Sequence, residues 1–166
     1  MLAIHGMAGS GKTLLAAEVL RDPEITLKYF PDGVFWFRVG MMDQEKLLNK
    51  LKILLEKLNI GVNISTVNTV EYALELLRKQ FLDHFKNSLL ILDDVWKGEI
   101  IKQFEICAKV LGDFTRFFFR FSHMTILISR VFLVTTRDRT IMDTVNGQAK
   151  IVTLTSGFTL DESLKV

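Results

Sequence analysis

Cysteine is almost missing from this sequence. Cys107 is the only one in 166 residues, so no internal disulfide can form and a reducing, cytoplasmic setting is the natural expectation. No histidine stands near it in sequence, so it reads as an inert buried thiol rather than a nucleophile. Proline is nearly as scarce: Pro23 and Pro31 are the two, and they bracket an expected loop. The three histidines, His5, His84 and His123, are not at metal-ligand spacing, which leaves strand-edge or surface roles for them. Apolar runs such as Leu89–Leu92 are strand-sized, too short to span a bilayer. No secretory leader pattern follows Met1. The 21 basic and 19 acidic residues give a net charge of +2 with no block of one sign, so charge favours neither nucleic acid nor a membrane surface as partner.

What is present is a core. Hydrophobic residues make up 49% and mean hydropathy is +0.26, enough for one α/β domain. Leu2–His5 reads as a strand and Gly11 to Arg21 as a helix with Leu14, Leu15, Val19 and Leu20 at helical spacing. Val34–Val39 is aromatic and β-branched, as a strand would be. Asp43 opens an amphipathic helix whose apolar face runs from Leu47 through Leu51, Leu54 and Leu55 to Leu58. That stripe spans too few heptads for a dimer zipper and reads as core. Asn68-Thr-Val-Glu71 resembles a capping box for a helix carrying Leu74, Leu77, Phe81 and Phe85. Leu89–Leu92 and Val131–Thr135 read as strands buried on both faces, Asp138–Val145 as a helix and Ile151–Leu154 as a last strand. Trp36 and Trp96 read as packing residues. Strands alternating with helices predict a three-layer α/β fold around a parallel sheet.

Three stretches carry chemistry. Gly6-Met7-Ala8-Gly9-Ser10-Gly11-Lys12-Thr13 fits G-x-x-x-x-G-K-[ST] without a mismatch, between a predicted strand and a predicted helix. Glycines let successive N–H groups turn toward phosphate oxygens, and the helix adds its positive N-terminal end. Lys12 would reach the β- and γ-phosphates, and Thr13 would ligate Mg²⁺. The apolar run Leu89–Leu92 ends in Asp93 and Asp94. Asp93 is placed to hold Mg²⁺ opposite Thr13. Asp94 can orient or deprotonate an attacking water, or merely end a strand. Thr135-Thr136-Arg137 ends a further strand. Arg137 can touch a terminal phosphate and report its presence, or cap the next helix on the surface.

Four segments together, IHGMAGSGKT (4–13), FPDGVFWFRVG (30–40), SLLILDDVW (88–96) and LVTTRD (133–138), resemble the NB-ARC family of signalling ATPases, in its animal apoptotic branch rather than among plant resistance proteins. The resemblance implies a P-loop NTPase core that binds ADP or ATP with Mg²⁺ and switches oligomer assembly in apoptosis or innate immunity. It implies self-association or effector partners, and ATP hydrolysis that is slow and regulatory or negligible. It places Gly9, Gly11, Lys12 and Thr13 in the phosphate loop, Asp93 at the magnesium position, Asp94 beside it and Arg137 as sensor. The competing reading is a P-loop small-molecule kinase or general ATPase, which would need an arginine-rich substrate lid that the sequence lacks.

The sequence also departs from that pattern. Residues 1–158 are expected to form the nucleotide-binding subdomain. Thr159-Leu-Asp-Glu162 looks like a capping box, so 159–166 reads as the truncated start of a following helical domain. The segment 109–130 is atypical: five phenylalanines fall between Phe114 and Phe121, broken by Arg116 and Arg120. It reads as a partner-binding insertion, as a helix-plus-strand satellite, or as translated intron sequence from an imperfect gene model, the last being favoured.

Overall fold

The computed structural model describes residues 1–59, 61–109, 116–121, 124–129, 132–143 and 150–155. Five parallel strands form one sheet: β1 (Leu2–Gly6), β2 (Val34–Gly40), β3 (Leu89–Val95), β6 (Phe132–Thr136) and β7 (Lys150–Leu154), in the spatial order β2-β3-β6-β1-β7. The helices are α1 (Lys12–Arg21), α2 (Pro23–Tyr29), α3 (Gln44–Lys57), α4 (Val70–Asp83), α5 (Gly98–Lys109) and the short α6 (Thr140–Asp143).

Strand alternation divides the core into two layers, because successive side chains leave opposite faces of a sheet. On β3, Leu90 and Leu92 join the packing of α3, α4 and α5 around Leu47, Leu51, Leu55, Leu77 and Phe104. Leu89 and Ile91 face the other way, onto Ala16 of α1 and Phe30 just after α2. Ala3 and Ile4 of β1, and Val134 and Leu133 of β6, split in the same manner. The expected three-layer α/β fold is therefore what the chain adopts, and β3 is buried on both faces as its all-apolar run requires.

Several local expectations need correction. The stretch between the two prolines is a helix, not a loop. Asp22 accepts a hydrogen bond from the Glu24 N–H at 2.8 Å, and Pro23 occupies the first turn, where its missing N–H costs nothing. The cap of α4 is Thr69 rather than Asn68: its Oγ1 accepts from the Tyr72 N–H at 3.2 Å. Asp43 caps α3 as its position predicts, accepting from the Lys46 N–H at 2.9 Å. His5 is not at a sheet edge, since β1 has β6 on one side and β7 on the other. Leu14 is exposed, and α1 packs through Leu15, Ala16 and Leu20 instead. Trp36 is exposed on the edge strand β2, and Trp96 is also open to solvent rather than packed in the core.

Within 109–130, the strands β4 (Arg116–Phe121) and β5 (Met124–Ser129) pair antiparallel in a two-stranded sheet separate from the main one. Of the three readings of this segment, the satellite named a helix and a strand; the described residues of 110–130 hold two paired strands, and the remaining positions lie outside the described residues. The surroundings of the Cys107 side chain, His123, the predicted helix end at 144–145, and the capping-box pattern at 159–162 lie outside the described residues.

Candidate functional site

Because all five strands run parallel, their carboxyl ends meet at one edge, where open α/β sheets bind ligands. The phosphate loop leaves β1 at this edge. Met7, Ala8 and Gly9 are exposed, Ser10 is buried, and the Ser10 N–H donates to the Met7 carbonyl at 3.2 Å. Gly9 and Gly11 have φ of 76° and 83°, a left-handed backbone that suits residues without a Cβ. Gly11 is also the residue from which α1 starts, and its carbonyl accepts the first helical bond from the Leu15 N–H at 2.7 Å.

Gly6 is needed for a different reason. A Cβ there would stand 2.7 Å from Ser10 Oγ and 2.9 Å from the backbone oxygen of Leu154. The second neighbour belongs to β7 and cannot swing away. Gly6→Ala is expected to push β7 from β1 and to cost about 1–3 kcal/mol, visible as a lowered melting temperature in thermal denaturation.

Lys12 lies at the start of α1 and is only 7% exposed. Its Nζ donates to the carbonyls of Gly6 at 2.9 Å and Met7 at 2.6 Å. Burial pulls its pKa below the ordinary 10.5, and the nearby Arg137 cation lowers it further against the opposing pull of Asp94 and Asp93. The ammonium is thus folded over the loop's own carbonyls in a place that disfavours its charge, and an anion in the loop would relieve that.

Thr13, the next residue, meets Asp93 across 80 residues of sequence: its Oγ1 donates to Asp93 Oδ1 at 2.7 Å. Asp93 is 3% exposed and its Oδ1 also accepts from Thr135 Oγ1 at 2.6 Å. The same Thr135 hydroxyl accepts from the Asp94 N–H at 2.8 Å. Thr136 completes the tie between β3 and β6, donating to the Val95 carbonyl at 2.9 Å. These two threonines were legible only as hydroxyls at a strand end. The pairing of β6 beside β3, with Thr136 opposite Val95, is what brings Thr135 against both aspartates.

Asp94 has φ of 60°, where a residue with a side chain is strained, and it sits at a break in the β3–β6 register between Leu92 and Val95. The break turns its carboxylate out of the ladder toward Arg137, whose Nε lies 3.5 Å from Asp94 Oδ1. The Arg137 guanidinium also lies over the Trp96 ring, 4.8 Å from its centre. Beside it a cleft of about 390 Å³ opens at the carboxyl ends of β2 and β3, with Val39, Met41, Ile100 and Trp96 among its walls.

The residues named from the sequence therefore converge. Lys12, Thr13, Asp93, Asp94 and Arg137 come from three strand ends and gather at one edge of the sheet. The donor set fits a magnesium nucleotide. A hydroxyl and a carboxylate already touch, a lysine ammonium stands over a glycine loop, and Ser10 Oγ is buried there without a hydrogen-bond partner among the described residues.

Fold and site together define a P-loop nucleotide-binding domain. The sequence pattern of the NB-ARC domain matches residues 1–119, and the chain belongs to the NB-ARC family. It is 34% identical to apoptotic protease-activating factor 1 of Danio rerio over 169 residues and to that of Homo sapiens over 167 residues; each alignment covers 99% of this chain and 12% of the relative. The chain thus spans about one eighth of those relatives' length. Among solved structures, a Pif1 helicase from Candida albicans overlays 95% of this chain and 36% of its own with 19% identity and a TM-score of 0.46.

Proposed function

We propose that this domain is the ADP/ATP-binding core of a signalling switch, in which the state of the bound nucleotide controls oligomer assembly in an apoptotic or innate-immune pathway inside the cell. The observation that carries the reading is the 2.7 Å contact between Thr13 and Asp93. A phosphate-loop hydroxyl and a strand-end carboxylate are the pair with which P-loop proteins hold Mg²⁺ between them and the nucleotide phosphates. The metal, when bound, neutralises phosphate charge and orients the terminal group. On this reading Lys12 and the loop N–H groups from Gly6 to Thr13 hold the phosphates, Asp94 orients water, and Arg137 senses the terminal phosphate. Relatives named for apoptotic protease activation support the signalling context.

Such a switch works through differential affinity, since a ligand moves an equilibrium only as far as it prefers one state. Hydrolysis would be slow, because its purpose is to reset the switch. Calorimetry with ADP and ATP, with and without Mg²⁺, tests the reading. We expect both nucleotides to bind, more tightly with the metal, and no small acceptor to be phosphorylated. A folded protein that binds neither nucleotide overturns it.

A further inference from the structure

We propose that Trp96 is a positioning residue that sets the Arg137 guanidinium toward the terminal phosphate and so lets the domain tell ATP from ADP. The inference rests on the nucleotide reading above and adds a residue to it. Trp96 lies next to β3 and is 36% exposed, with one edge lining the cleft between β2 and β3. An indole so open is not there chiefly to fill the core. What it does contact is Arg137, stacked over its ring at 4.8 Å.

Arg137 needs such a platform. It is 44% exposed in its side chain and sits at the end of β6. A free arginine there would sample many rotamers and lose that freedom on touching a phosphate. Two contacts restrict it. Asp94 approaches at Nε, which leaves the fork of the two terminal nitrogens to a second acceptor. Trp96 fixes the plane of the group by cation–π attraction. The register of β6 against β1 sets Thr136 opposite His5, so Arg137 follows β6 at the same strand ends from which the phosphate loop leaves β1. A cation held at that edge suits an anion in the loop, and the γ-phosphate of ATP supplies charge that ADP lacks.

The test separates positioning from mere packing. Affinities for Mg·ATP and Mg·ADP are measured by calorimetry on the unaltered protein, Trp96→Leu, Arg137→Met and the double variant. Trp96→Leu is expected to shrink the ATP-over-ADP preference about two- to fivefold with ADP binding little changed, and to do nothing further once Arg137 is Met. Equal losses for both nucleotides, or the same loss in the Arg137→Met background, would overturn the positioning role. Trp36→Phe leaves Trp96 as the only indole, so its fluorescence reads the stack directly. Its emission should shift on Arg137→Met without any nucleotide. An emission that ignores Arg137→Met overturns the stacking contact, whereas failure of the unaltered protein to bind either nucleotide overturns the site reading beneath it.

Discussion

Lys12→Ala should abolish measurable binding of both ADP and ATP, lowering affinity about 100-fold or more, as expected when two charge-assisted hydrogen bonds to phosphate are lost. The fold should survive. Lys12 donates to two loop carbonyls, but it does so as a buried cation whose pKa burial and Arg137 have depressed. The group is therefore costly to the fold and useful to phosphate binding. The sign follows from linkage. With its folded pKa below 10.5, the native state sheds this proton before the unfolded chain does. Between the two values the unfolded state binds more protons, so this group's contribution to stability rises with pH across that alkaline window, and its cost is present below it. Lys12→Ala should flatten that rise, and melting at neutral pH should move by only a few degrees. Nucleotide affinity should fall through the same window in the unaltered protein, because the neutral amine no longer pairs with phosphate. Calorimetry and thermal melts across pH 7 to 10.5 read both effects. Retained ADP binding in Lys12→Ala would mean that the loop is a structural turn and not an anion site.

The phosphate loop was legible in the sequence because its chemistry is contiguous. Eight adjacent residues carry the glycines, the cation and the hydroxyl, and the flanking periodicities announce the strand and the helix. The two-faced burial of β3 was legible for a similar reason: a run of leucine and isoleucine without alternation has no side to give to water. Local punctuation misled where two signals competed. Pro23 looked like a breaker, yet a proline in the first turn behind an aspartate cap starts a helix. What the sequence hid is long-range. Thr135 is 42 residues from Asp93, and only the insertion of β6 between β3 and β1 sets its hydroxyl on that carboxylate. Trp96 read as packing because an indole usually is buried, and nothing local indicates that Arg137 will lie across it.

Asp93→Asn and Asp93→Ala should part company, and the difference separates the carboxylate's structural work from its metal work. Asp93 Oδ1 accepts from Thr13 and from Thr135. An asparagine amide oxygen can accept both hydrogen bonds in nearly the same place, so Asp93→Asn should melt within a few degrees of the unaltered protein. It has lost its negative charge, however, and magnesium prefers anionic oxygen ligands. The Mg²⁺-dependent increment in nucleotide affinity should vanish while metal-free binding persists. Asp93→Ala removes the acceptor altogether. Thr13 is exposed and can turn to water, but Thr135 is 1% exposed and cannot. Its stranded hydroxyl, which also receives the Asp94 N–H, should cost about 1–3 kcal/mol, or roughly 2–10 °C in melting temperature for a domain of this size. Destabilisation should appear in Asp93→Ala alone, and loss of the magnesium increment in both. If Asp93→Asn keeps that increment, the carboxylate serves only to tie β3 to β6 and to Thr13, and the divalent cation is held by other groups.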